Sequence, residues 1–265
     1  MPQIKVNGIE LFYTEHGSGD ETIVFGHGLL MDSTMWDFVA PRFSDHYRVI
    51  CFDFRGQGNS ERFGKDFSID SLVEDTAALI QALTKQPVHY VGLSMGGMVG
   101  MPLAARYPKL LRSLALLDTS AQSEPAKNNI KYALMTAVVK LFGVKPLVPS
   151  MLPLMFGKSF LSDPLNHELI NHWKQKLLAL KKTITGPVTG VTKRRDVTQE
   201  LASIICPTLI IVGDEDHTTP MSCAKKIAAH ISGSELKIIP QCGHSSALEK
   251  PEVVVDLLKQ FYFKL

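Results

Sequence analysis

Short apolar runs alternate with turn residues and amphipathic stretches along most of this 265-residue chain. Residues 4–6 and 9–14 flank Asn7-Gly8, a spacing typical of a β-hairpin. Near-continuous apolar runs then predict strands that are buried on both faces, as in a parallel sheet: 22–25, 48–52, 88–93, 113–117, 208–212 and 236–239. Helical periodicity predicts helices at 34–43, 69–83, 95–107, 221–231 and 247–261. The pattern therefore predicts an α/β fold with a mostly parallel central sheet flanked by helices.

Residues 120–195 break this alternation. Helix-like stretches occur near 128–142, 146–156 and 164–182, the last beginning at a favourable Asp163-Pro164, and no stretch resembles a core strand. We therefore predict that residues 1–119 and 196–265 form one core domain and that residues 120–195 form a helical insertion. One α/β domain with such an insertion suits the length of the chain.

Charge and composition exclude several classes of protein. The formal net charge is only +2, and the basic cluster Lys193-Arg194-Arg195 is short. We interpret it as a solvated turn rather than a nucleic-acid-binding patch. No apolar stretch approaches the ~20 residues of a membrane span. The four cysteines lack the spacing of a metal site or disulfide framework, and no apolar leader follows Met1, so we expect a cytoplasmic protein.

A serine between glycines stands at the end of the strand predicted at 88–93. In Gly92-Leu93-Ser94-Met95-Gly96 the strand should turn directly into a helix, and such a turn strains its central residue and requires small neighbours. The turn exposes the serine hydroxyl. The backbone N–H of Met95 and the positive end of the helix can then stabilise negative charge beside it. We predict that Ser94 is a nucleophile.

A serine nucleophile needs a base that is itself oriented by an acid. The strand predicted at 208–212 ends in Gly213-Asp214-Glu215-Asp216, and the strand at 236–239 is followed by Gly243-His244. Serine, aspartate and histidine therefore follow one another in the chain order found in α/β-hydrolases.

Together, five ordered motifs make the chain resemble the α/β-hydrolase superfamily, and within it the small cofactor-free serine esterases and enol-lactonases. They cover nearly all of the chain outside residues 120–195. The motifs are Phe25-Gly26-His27-Gly28, the run from Phe52 to Ser60, the turn around Ser94, the run from Gly213 to Pro220 and Gly243-His244. The resemblance implies an α/β-hydrolase fold with a helical cap at 120–195, an ester or lactone substrate, and no metal or organic cofactor.

The resemblance also implies a role for each candidate acid and base. Asp216 takes the fourth position of Gly-x-x-Asp and would be the acid, which leaves Asp214 and Glu215 as solvated loop charges. Asp118 is an alternative acid, because some relatives use a residue after the strand predicted at 113–117. His244, between the last strand and the last helix, would be the base.

The remaining roles concern the oxyanion and the acyl group. The family's His-Gly, here His27-Gly28, shapes the loop that binds the oxyanion, and the N–H groups of Leu29 and Met95 would be its donors. Apolar residues in the first loop and in the middle of the cap are candidates for the wall of the acyl pocket: Leu30, Met151, Leu154, Met155 and Phe156. Flexible methionines suit such a wall.

We therefore expect a serine hydrolase that cleaves carboxylic esters or lactones with apolar acyl groups through an acyl-enzyme. Alternatives are an enol-lactonase, a carbon–carbon bond hydrolase of aromatic degradation, or a small-ligand receptor or signalling protein that keeps the triad. The carbon–carbon bond reaction is disfavoured because Ser245-Ser246 stands where such enzymes usually carry a tryptophan. The resemblance also allows perhydrolysis as a side activity, because hydrogen peroxide can replace water as the acyl acceptor. The sequence leaves open whether it occurs, and leaves the oligomeric state open as well.

Overall fold

The central feature of the computed structural model, which describes residues 2–62, 64 and 66–265, is an eight-stranded sheet. Its strands, in the order β1-β2-β4-β3-β5-β6-β7-β8, pair in parallel except for the antiparallel pairs β1–β2 and β2–β4. The strand bounds are β1 Gln3–Val6, β2 Ile9–His16, β3 Thr22–Gly26, β4 Arg48–Phe52, β5 Val88–Leu93, β6 Leu111–Leu117, β7 Thr208–Gly213 and β8 Glu235–Ile239. The predicted fold class is confirmed.

Helices cover the sheet, and their bounds differ from the prediction in two places. The helix predicted at 34–43 is instead two 3-10 helices, Ser33–Trp36 and Ala40–Phe43. The predicted last helix is divided before Pro251, whose ring cannot continue a helix. The α-helices are α1 Ile69–Leu83, α2 Met95–Arg106, α3 Asn129–Phe142, α4 Val148–Met155, α5 Lys158–Ser162, α6 His167–Ala179, α7 Thr185–Thr192, α8 Met221–His230, α9 Ser246–Glu249 and α10 Pro251–Tyr262.

Each face of the sheet packs into its own apolar cluster because successive strand side chains point to opposite sides. On β3, Ile23 and Phe25 belong to one cluster and Val24 to the other. Helices α1, α2 and α8 contribute to the second cluster, whereas α10 contributes to the first. With both faces covered, the carboxyl ends of the parallel strands remain available for polar loops.

Residues 120–195, here called the helical segment, are all described and contain α3 to α7 without a strand. Three of these helices fall in the predicted stretches, whereas α5 and α7 lie outside them. Helix α7 is rich in glycine, threonine and valine, which are poor helix formers, and it is supported by packing against α3. The division into a core domain and a cap remains a prediction.

Candidate active site

The turn around Ser94 has the strained geometry that the glycines predict. Ser94 joins β5 directly to α2 with a backbone φ of +52°. A Cβ on Gly92 would collide with the backbone of Gly96, and a Cβ on Gly96 would collide with the carbonyl of Gly26. Only glycine therefore fits at either side of the serine, and the close approach aims the start of α2 at the loop that follows β3.

Hydrogen bonds connect Ser94, His244 and Asp216 in a continuous chain. Nε2 of His244 lies 2.8 Å from Oγ of Ser94, and Nδ1 lies 2.9 Å from Oδ2 of Asp216. All three residues are buried. In the resting arrangement Nδ1 donates to the carboxylate and Nε2 is free to accept the serine proton, which is the tautomer that a general base requires.

Two threonines that sequence analysis missed hold Asp216 in this position. The N–H groups of Thr218 and Thr219 donate to Oδ1 of Asp216 over 2.8 and 2.9 Å, and the Thr219 hydroxyl donates to Oδ2 over 2.8 Å. The second oxygen thus stays directed at His244. Asp-x-Thr-Thr at the end of a strand is compatible with such a turn, because aspartate commonly accepts from backbone N–H groups two and three residues ahead.

The charges and hydrogen bonds around Asp216 and His244 favour an ionised Asp216 beside a basic His244. Burial alone would raise the pKa of Asp216, yet the charge and hydrogen bond of His244 and the Thr219 donors lower it below its usual value. Burial would likewise lower the pKa of His244, but the charge and hydrogen bond of Asp216 outweigh this, and the pKa is raised above 6.5. Histidine is thereby made a stronger proton acceptor.

The pH dependence of turnover should reflect this raised pKa. A general base must be neutral to accept a proton, so activity should be lost as the pH falls through the pKa of His244. We expect the acidic limb of the kcat/KM profile to lie above pH 6.5, the ordinary imidazole value. An acidic limb below that value in a pH series with a neutral ester would contradict the arrangement.

Asp118, the alternative acid, lies in the same buried region but bonds elsewhere. Its Oδ1 accepts from the N–H of Gly213 and its Oδ2 from the N–H of Ser246, both over 3.1 Å. Burial first, and then repulsion by Asp216, raise the pKa of Asp118. Because the pKa values of the two carboxyl groups are moved in opposite directions, Asp216 is the one favoured as an anion next to His244. Asp118 instead ties the strand before the acid to the loop after the histidine.

The candidate oxyanion donors lie in the loop after β3 and at the start of α2. Within the described part of the chain, neither the N–H of Leu29 nor that of Met95 donates a hydrogen bond. Gly28 packs against Ser94, so the loop passes beside the serine. His27 is buried and its pKa is lowered, chiefly by burial; it bridges the carbonyl of Gly28 and the N–H of Phe54. It therefore shapes the loop, as the resemblance implies.

An apolar cavity of about 200 Å³ opens onto Ser94 and His244. Of the predicted wall residues, four line it: Leu30, Met151, Leu154 and Met155. The prediction for Phe156 is wrong, because its ring is buried in the core and stacks on Phe160 at a centroid distance of 5.2 Å. The cavity also has walls that sequence analysis did not single out, mostly from α3 and α7: Met98, Tyr132, Met135, Thr136, Val139, Val144, Leu147, Ile184, Val188 and Val191.

One charged pair reaches the cavity wall, and its position corrects the interpretation of the basic cluster. The Arg194 side chain is only 9% exposed and not solvated, and its Nη1 lies 3.3 Å from Oε2 of Glu124. Glu124 also accepts from the hydroxyl of Tyr132 over 3.0 Å. Because the two charges neutralise each other, this wall presents hydrogen-bonding groups without a net charge.

Two glutamates connect the helical segment to the loops that carry the acid and the base. Glu215, predicted to be a solvated charge, is instead half-buried and accepts from the N–H and hydroxyl of Ser159 over 2.7 and 2.5 Å. Buried Glu249 accepts from the N–H groups of Gly157 and Gly243 over 3.0 and 2.8 Å. The start of α5 is thus fixed to the residues beside Asp216 and His244.

Comparison with known proteins places the chain among hydrolases of this fold. Residues 21–251 match the family model described as alpha/beta hydrolase fold. The chain is 26% identical to 3-oxoadipate enol-lactonase 2 of Acinetobacter baylyi, across 96% of this chain and 94% of that protein. It is 26% identical to pyrrolizixenacetamide deacetylase of Xenorhabdus hominickii, across 98% and 97%. A thermophilic esterase from Thermogutta terrifontis superposes with a TM-score of 0.92 at 27% identity, covering 100% and 99%.

Proposed function

Because this chain belongs to the alpha/beta hydrolase fold family, we propose that it is a serine hydrolase that cleaves carboxylic esters or lactones. The observation that carries the proposal is the hydrogen-bonded chain from Asp216 through His244 to Ser94 beside an apolar cavity. Both the family and this geometry favour hydrolysis by way of a covalent acyl-serine.

The proposed reaction has two steps. Oγ of Ser94 attacks the carbonyl carbon while Nε2 of His244 takes its proton, and the N–H groups of Leu29 and Met95 donate to the resulting oxyanion. His244 then returns the proton to the leaving oxygen as the ester bond breaks. In the second step water gives a proton to His244 and attacks the acyl-serine. His244 then returns that proton to Oγ of Ser94 as the acyl–oxygen bond breaks, which releases the acid and restores Ser94. These steps need no metal or organic cofactor.

We propose that the acyl group is apolar and uncharged. Aliphatic side chains and methionines dominate the cavity wall, and its charged pair, Glu124 and Arg194, is internally neutralised. A charged acyl group would lose hydration without finding an unpaired partner of opposite charge in this pair. Catalytic efficiency should therefore rise from acetyl to medium-length or aromatic acyl groups.

The acyl series also gives a test by mutation. Leu154 lines the cavity and is partly exposed, so Leu154→Asp should be tolerated by the fold. It should lower kcat/KM for longer p-nitrophenyl esters more than for the acetate, since each methylene buried in the transition state contributes up to about 0.8 kcal/mol. Leu165→Asp, at an exposed position outside the cavity, is the matched control. Equal loss along the series would refute the apolar pocket.

The alternative functions differ in which bond of the substrate is cleaved, or in whether any bond is cleaved at all. The relatives include an enol-lactonase, a deacetylase and an esterase, so we propose to assay esters, lactones and amides as one panel on the purified protein. Turnover confined to a dicarboxylic enol-lactone would favour the lactonase. Binding without turnover would favour a receptor.

We also propose a cytoplasmic setting. Within the described residues, the four cysteines, Cys51, Cys206, Cys223 and Cys242, are all free thiols, which suits a reducing compartment. Among the same residues, none of the helices has the length and apolar character needed to cross a bilayer.

A further inference from the structure

Helix α3 exposes an apolar face that the proposed reaction does not use. Ile130, Leu134, Leu141 and Phe142 are between 66% and 82% exposed. Because an α-helix turns about 100° per residue, Ile130, Leu134 and Leu141 share one side of α3. Helix residues Met135 and Val139, on the opposite side, line the active-site cavity. The helix is therefore apolar on two faces, of which one meets water.

Lysines border this outer face on both sides. The helical spacing of about 100° per residue places Lys131 on one edge of the stripe and Lys140 on the other. The chain from residue 125 to 162 contains no aspartate or glutamate. It carries five exposed lysines, Lys127, Lys131, Lys140, Lys145 and Lys158. Among the described residues, none of the five forms a salt bridge.

We propose that this face, defined by Ile130, Leu134 and Leu141 and bordered by Lys131 and Lys140, docks on an anionic lipid surface. A helix with an apolar stripe and a lysine border lies in the interfacial plane, with the apolar side chains among acyl chains and the ammonium groups at anionic headgroups. A second copy of the chain fits less well, because a symmetric contact would bring two lysine-bordered faces together without an acidic residue from this stretch to pair with them.

Docking through this face would bring the active-site cavity close to the lipid surface. A groove between α3 and α7 is lined by Ala133, Ala137 and Lys140 from the outer side of α3. It shares five wall residues with the active-site cavity: Glu124, Tyr132, Thr136, Thr192 and Arg194. Docking would therefore place the α3 wall of the cavity against the lipid, where apolar esters concentrate. The docking itself does not depend on the proposed hydrolase activity.

Flotation with lipid vesicles tests the proposal without any substrate. The full chain should float with vesicles of phosphatidylcholine mixed with phosphatidylglycerol, should stay behind with phosphatidylcholine alone, and should be released by high salt. Leu134→Ser combined with Leu141→Ser should weaken the association at least about tenfold. The matched control is Ile205→Ser. Ile205 is an apolar residue outside the helical segment whose side chain is 80% exposed, and the variant should float like the unaltered chain.

The charge requirement is tested separately. Lys131→Gln combined with Lys140→Gln should weaken the association with vesicles on the order of tenfold or more. Lys85→Gln combined with Lys225→Gln changes two exposed lysines outside the helical segment and should leave the association unchanged. Unchanged melting temperatures would show that each variant folds. The proposal is overturned if the chain binds neither vesicle, if both lysine pairs act alike, or if sedimentation shows a dimer that the double serine variant abolishes.

Discussion

Replacing Ser94 by alanine should lower ester hydrolysis by on the order of 10⁴-fold or more, because the change removes the covalent route. The fold should persist, since among the described residues the lost hydroxyl bonds only to His244 and the Cβ that the strained turn accommodates is retained. The measurement is kcat for a p-nitrophenyl ester together with the thermal unfolding curve.

The control for this substitution is Ser245→Ala. Ser245 is buried next to His244, and its hydroxyl has no hydrogen-bond partner among the described residues. It should retain most activity, which separates loss of the nucleophile from general disturbance of the buried site. Retention of most activity by the Ser94 variant would remove the basis of the proposed mechanism.

Asp216→Asn should cost roughly 10⁴-fold in turnover. An asparagine can still accept from the N–H groups of Thr218 and Thr219, but its amide N–H favours the wrong tautomer of His244. It also lacks the negative charge that stabilises the imidazolium form of His244. The raised pKa of His244 should fall with the loss of that charge. The measurement is kcat across a pH series.

The matched controls for the acid are two other aspartates. Asp118→Asn keeps an acceptor for only one of the two N–H groups that Asp118 binds, those of Gly213 and Ser246, so it should lower the melting temperature. Its turnover should nevertheless fall far less than that of the change at Asp216. Asp214→Asn changes an exposed side chain and should cost least. A larger loss for Asp118→Asn than for Asp216→Asn would transfer the acid role to the end of β6.

The sheet could be predicted because strands buried on both faces leave continuous apolar runs in the sequence. The fully buried β3, β5 and β7 illustrate this. The turn at Ser94 could be predicted because its strain requires glycine on each side. In both cases a local constraint acts on adjacent residues, so it can be recognised without knowledge of the fold.

Features that depend on distant partners could not be predicted. Ser159 lies 56 residues before Glu215, and Glu124 lies 70 residues before Arg194. The sequence around Glu215 or Arg194 does not show whether that side chain bonds to a distant residue or to water. Phe156 and Met155 are equally apolar neighbours, and only the packing of the helical segment decides which one faces the cavity. Pro41 and Pro251 begin new helices because proline cannot stand inside a regular α-helix, whereas the apolar periodicity of the sequence continues across both positions.

In the proposed mechanism Ser94 becomes covalently acylated during turnover. A serine-directed fluorophosphonate tests it most directly, because it reacts with a nucleophilic serine that is activated by a neighbouring base. Mass spectrometry of the digested adduct should find the phosphonate on Ser94, and His244→Ala should greatly slow its formation. An adduct on another residue, or equal labelling in the histidine variant, would contradict the account.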